Sequence, residues 1–99
     1  MKKQPNTNET TVTTELTIIN KLGLHARAAS KLALLCQKFT ATINLELEGK
    51  KADANSIMAI MLLAGGQGKT VKVTAKGIDA PQALQAISQL ISDKFDEEQ

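Results

Sequence analysis

A chain of 99 residues and 10.6 kDa has room for one domain, and its 25 Leu, Ile, Val and Phe residues supply one small core. A net charge of +2 with no dense basic run, and only two aromatic residues, exclude the charged face and stacking platforms of a nucleic-acid binder. The lone Cys36 excludes an internal disulfide, and with a single histidine it excludes zinc and iron–sulfur sites.

Residues 1–10 are polar, with Pro5 and two Asn, and read as a disordered leader. Thr11 to Ile19 is rich in β-branched residues and predicts a strand with Val12, Leu16 and Ile18 on one face. Asn20 to Leu24 breaks that pattern as a loop. From Ala26 to Phe39 the period becomes helical, with Ala29, Leu32, Ala33, Cys36 and Phe39 on one stripe. Cys36 on that stripe reads as a small core residue. Ala41, Ile43, Leu45 and Leu47 alternate with polar residues, the pattern of a half-buried strand. Glu48-Gly49 then makes a tight turn into a short return strand, Lys50 to Asp53.

Asn55 and Ser56 are helix caps placed directly before the apolar run Ile57–Ala64. Gly65, Gly66 and Gly68 end that helix in a flexible connector. Thr70 to Lys76 is a strand, with Val71, Val73 and Ala75 on one face. Asp79, Pro81 and Gln82 have the spacing of a capped helix start, and Leu84, Ile87, Leu90 and Ile91 give its stripe. The domain spans 11–95, and the acidic tail, 96–99, is expected to fray. The order β-α-β-β-α-β-α predicts an α+β sandwich: a four-stranded antiparallel sheet with three helices on one face.

The eight-residue run Ile57–Ala64 is far below the roughly 20 residues of a membrane span. The polar N-terminus lacks the apolar segment of a signal peptide. The expected location is the cytoplasm.

His25, the only histidine, stands in a loop immediately before the first helix. Free N–H groups of a first helical turn, together with the helix dipole, favour an anion there. Arg27 lies close enough to add a charge-assisted contact. An imidazole nucleophile beside an anion cradle suits a transient phosphohistidine. The other reading is that His25 only caps the helix and Arg27 is solvated. The stretch Gly65-Gly66-Gln67-Gly68-Lys69-Thr70 is not a phosphate loop, because position 63 is Leu63 and a helix precedes it. Ser56 reads as a cap, or as a phosphorylation site at a helix start. The helix after Ser56 is apolar nearly all round, so part of it is either exposed for a partner or covered by a tail or loop.

Gly23-Leu24-His25-Ala26-Arg27 closely resembles the active-site motif of HPr, the histidine phosphocarrier family of the bacterial phosphoenolpyruvate-dependent phosphotransferase system. Asn55-Ser56-Ile57-Met58 resembles the family's second signature, around a regulatory serine, and the element order is that of the HPr open-faced β-sandwich. Within the family, Ala52 to Ser56 and Phe95 to Glu98 look most like the nitrogen-branch members, the NPr subfamily.

The resemblance implies that enzyme I donates a phosphoryl group to Nδ1 of His25, which passes it to a IIA-type acceptor. Arg27 is implied to attend the phosphoryl group, and Ser56 to be the target of a serine kinase in some lineages. Leu24, Ile57, Met58 and Met61 fall at the implied partner-binding patch. The family usually has Pro after the arginine, where this chain has Ala28.

The expected protein is thus a non-enzymatic, monomeric cytoplasmic carrier. It needs no cofactor or metal and engages neither nucleic acid nor membrane. The alternative is a regulatory α+β domain that binds a ligand or partner non-covalently.

Overall fold

The computed structural model describes residues 10–97. The expected leader lies outside them, except Thr10, which opens the first strand. The elements follow the predicted order: β1 (Thr10–Thr17), α1 (Ala26–Cys36), β2 (Thr42–Leu47), β3 (Lys50–Asp53), α2 (Ile57–Leu62), β4 (Thr70–Gly77) and α3 (Ala80–Ser92). A short turn over Lys94–Asp96 follows α3. The four strands form one antiparallel sheet in the order β1-β4-β2-β3.

Register follows the buried face. Val12 and Leu16 stand opposite Ala75 and Val71, while Ile43 and Leu45 stand opposite Ala75 and Val73. A slip of one residue would turn these side chains to water. The β2–β3 hairpin turns through Glu48 and Gly49, with φ of 51° and 84°. Two positive φ values are what a two-residue hairpin turn requires, and glycine meets the second without strain.

The helices cover one sheet face. Ala28, Ala29, Leu32, Ala33 and Cys36 of α1, and Ala80, Ala83, Ile87 and Ile91 of α3, are buried against Ile43, Leu45, Val71 and Val73. Alanines at these positions let helix backbones come close to the sheet, and the longer side chains fill the remaining space. Cys36 is buried as predicted, and burial first, then the Asp53 charge, pushes its thiol up to about 12. It is a protonated core residue at neutral pH.

Several boundaries and contacts differ from the sequence reading. α1 ends at Cys36, and Phe39 follows in a turn instead of on the helix. Asp79 occupies the position before α3 but does not cap it. Its carboxylate instead accepts from the N–H groups of Thr40 and Ala41, at 2.9 and 2.8 Å, and from the Thr40 hydroxyl at 3.2 Å. Two backbone donors in the loop before β2 outcompete the local helix start.

The glycine segment after α2 is tied down, contrary to the flexible connector expected. Gly68 donates to the Ile18 carbonyl at 2.7 Å, Ile18 donates to Lys69 at 2.9 Å, and the Gln67 side chain donates to the Ile19 carbonyl. Phe95, the last residue of the expected domain, is fully buried. Asp96 and Glu97, expected to fray, instead continue in hydrogen-bonded backbone.

Candidate functional site

The loop between β1 and α1 is built on Asn20 and Gly65. Asn20 is fully buried; its carbonyl accepts from Gly23 N–H at 3.2 Å and its side-chain amide donates to the Gly23 carbonyl at 2.9 Å. Leu24 N–H donates to the Gly65 carbonyl at 2.8 Å. These bonds close the loop on itself and clamp it to the segment after α2. His25 follows in extended backbone, with φ −74° and ψ 178°, and its carbonyl accepts from Ala29 N–H at 2.8 Å.

The His25 side chain makes no capping hydrogen bond. Its ring, about a quarter exposed, turns instead to Glu97 and joins its Nε2 to the Glu97 carboxylate. The second Glu97 oxygen accepts from the Asn20 amide at 3.1 Å. The reading of His25 as a plain cap therefore fails. Burial alone would raise the Glu97 carboxyl, but bonds from His25 and Asn20, with the charges of His25 and Arg27, hold it below its ordinary value.

His25 opens on a cleft of about 620 Å³, lined by Leu22, Ala26, Arg27, Lys31, Asp96 and Glu97. Arg27 is exposed and, among the described residues, has no ion-pair partner. Its guanidinium is available to an incoming anion. Lys31, one helical turn beyond Arg27, donates to the Phe95 carbonyl at 2.7 Å and stands 3.9 Å from Asp96. The cleft thus joins a nucleophilic ring, two cations and the start of a helix. Among the described residues no cluster of three or more His, Cys, Asp or Glu could hold a metal ion.

Ser56 caps α2: its hydroxyl accepts from Ala59 N–H at 3.1 Å. Beyond it Met58 and Leu62 are 70% and 71% exposed, and Ile57 and Met61 about 40%. Leu24 must be moved out of the partner patch. It is only 6% exposed and belongs to the core, where it packs beside Ile18 and Gly65. Leu22, two residues earlier, is the exposed apolar side chain of that loop. Sequence reasoning missed Asn20, Lys31 and Glu97. The spacing of Lys31 from Arg27 on one helical face was a usable signal. Nothing local to Glu97 marks a contact 72 positions away.

A small α+β domain that presents a histidine at a helix start, beside an arginine with no ion-pair partner among the described residues, has the chemistry expected of a phosphoryl-accepting protein. The comparisons identify the family. The family model "PTS HPr component phosphorylation site" matches residues 12–93. Phosphocarrier protein NPr of Shewanella violacea is 51% identical over 83 residues, covering 84% of this chain and 91% of that protein. Phosphocarrier protein HPr of Xylella fastidiosa is 45% identical over 84 residues, covering 85% and 94%. The crystal structure of HPr-C-His from Thermoanaerobacter tengcongensis superposes with a TM-score of 0.85 at 42% identity, covering 89% of this chain and 99% of that one. The chain belongs to the HPr family of phosphocarrier proteins of the phosphotransferase system. Members of this family are non-enzymatic carriers that form a transient phosphohistidine. No helix of the described residues is long and apolar enough to cross a membrane.

Proposed function

We propose that His25 is the phosphoryl acceptor of this carrier and that Nδ1 is its reacting nitrogen. The observation that carries this reading is the ring's placement. Among the described residues it is held by one nitrogen only, at the mouth of a cleft that also holds Arg27 and Lys31. Enzyme I, charged from phosphoenolpyruvate, donates to Nδ1, and a IIA-type protein receives the group. Arg27 neutralises phosphoryl oxygens during both transfers. Ile57, Met58 and Met61, with Leu62 on the same helix and the exposed Leu22 at the His25 cleft, form the apolar surface on which both partners dock. The carrier works as a cytoplasmic monomer, without a cofactor.

The 51% match to an NPr supports the nitrogen-related branch. Ser56 acts first as a cap, and a serine kinase acting there would place charge at the edge of the docking surface.

The test is intact-mass measurement after mixing the protein with phosphoenolpyruvate and enzyme I of either the sugar or the nitrogen branch. The expected result is one added phosphoryl group in the parent, faster with the nitrogen-branch enzyme, and none in a folded His25→Ala variant. Full labelling of that variant would remove His25 from the role. Faster loading by the sugar-branch enzyme would reassign the branch.

A further inference from the structure

We propose that Glu97 is a positioning residue for this chemistry: its carboxylate keeps the proton on Nε2 of His25 through loading and release, so that Nδ1 alone makes and breaks the bond to phosphorus. The inference rests on the reading of His25 as acceptor.

A carboxylate only accepts hydrogen bonds, so the ring nitrogen facing Glu97 carries the hydrogen. In the neutral ring Nδ1 then holds the lone pair. The low-lying titration of Glu97 keeps it ionised for that task at neutral pH. Its other oxygen is fixed by Asn20, whose buried amide also holds the Gly23 carbonyl. Ring and carboxylate are therefore anchored to the same loop.

The segment that delivers Glu97 is strained. Lys94, Phe95 and Asp96 have φ of 58°, 55° and 65°, three successive non-glycine residues in the left-handed region. The buried Phe95 ring and the Lys31 bond to the Phe95 carbonyl hold it there. Strain kept in place by its surroundings, with its far end on a reactive ring, points to function.

In loading, the Nδ1 lone pair attacks phosphorus, and the donor leaves with the electron pair of its own bond to phosphorus. The ring keeps its Nε2 proton and gains a positive charge, which lies against Glu97. In release, the acceptor attacks phosphorus and the N–P pair returns to Nδ1. Because Nε2 is protonated, the group that departs is neutral imidazole; without that proton it would be imidazolate, a far poorer leaving group. No proton is exchanged with solvent in either step. The other charged groups facing the ring are Arg27 and Lys31 from α1 and Asp96 from the turn. Among the described residues, Glu97 is the carboxylate bonded to the ring.

Wild type, Glu97→Ala and Glu97→Gln are loaded with enzyme I and phosphoenolpyruvate and purified. Loss of the phosphoryl group to water is then followed by ³¹P NMR from about pH 6 to about pH 9, the range around imidazole titration. At the acid end all three rings carry the proton and release at equal rates. At the alkaline end Glu97→Ala releases about tenfold more slowly, with Glu97→Gln, which keeps an acceptor without the charge, in between. Ring ¹⁵N shifts of the loaded proteins report the Nε2 proton directly. Parallel rate profiles at every pH, the mark of a merely structural role, overturn this inference alone. A wild type that takes no phosphoryl group overturns the acceptor reading, and this inference with it.

Discussion

Gly23 lies against the Gly65 carbonyl so closely that a Cβ on Gly23 would be 2.4 Å from that oxygen and 2.9 Å from Gly66 Cα. Its φ of 66° adds a second reason for glycine. The same carbonyl accepts from Leu24 N–H, so the clash falls on the bond that fixes the residue before His25. Gly23→Ala is expected to destabilise the domain by about 2 kcal/mol or more, since both the positive φ and the backbone contact oppose it. Urea unfolding measures the loss, and phosphoryl loading of the remaining folded protein should be slower.

Arg27 is exposed and, among the described residues, has no ion-pair partner, so its removal leaves nothing buried unpaired. Arg27→Ala should leave the melting temperature nearly unchanged. It should slow loading by enzyme I by about 10²-fold, the scale on which a donor aimed at developing charge acts. Stopped-flow or quench-flow loading rates, set beside thermal melts, check both halves. Equal loading rates would make Arg27 a solvated surface residue.

Ser56 links stability to docking. Ser56→Ala removes the bond to Ala59 N–H and should lower stability by about 1 kcal/mol. Ser56→Asp retains a capping acceptor and adds charge at the favoured end of α2, so its stability should match or slightly exceed the parent. Enzyme I is expected, from the family, to present an acidic surface. Ser56→Asp should therefore load more slowly at low salt and recover as salt screens the repulsion.

Asp79 gives the acid limb of the stability curve a specific contributor. Its carboxyl is held below the ordinary value of 3.8, first by the Thr40 N–H and then by Ala41 N–H and the Thr40 hydroxyl, against some burial. A depressed carboxyl stabilises the fold fully above the unfolded value and loses that contribution as pH falls through the folded one. The melting-temperature gap between the parent and Asp79→Asn should be wide at neutral pH and shrink steadily below about pH 4. A gap that stays constant through the acid range would show that the charge of Asp79 is not what holds the loop.

The strands and helices were legible because alternation and helical stripes record burial directly. Ile43 and Leu45 alternate with polar neighbours because one sheet face is wet, and Ala29, Leu32 and Ala33 recur because one helix face is dry. His25, Arg27 and Ser56 were legible because their positions are local to helix starts. What escaped was decided across distance. Asp79 has the sequence of a cap, yet donors at Thr40 and Ala41, nearly forty positions away, take its carboxylate. Leu24 sits in the motif beside His25, but the loop's closure on Gly65 turns it inward. Asp96 and Glu97 have a fraying composition, and it is the burial of Phe95 with the bonds of Glu97 to Asn20 and His25 that makes them part of the domain.

The separation of 72 positions between His25 and Glu97 also sets an order of events at the ribosome. The histidine leaves the exit tunnel early, with its motif complete in sequence, while the carboxylate that will hold its ring has yet to be translated. β1 waits in the same way for β4, its hydrogen-bonded partner in the sheet. A nascent chain stalled before codon 97 therefore displays the motif without the bond, and the ring acquires its final setting only after nearly all of the domain has been synthesised.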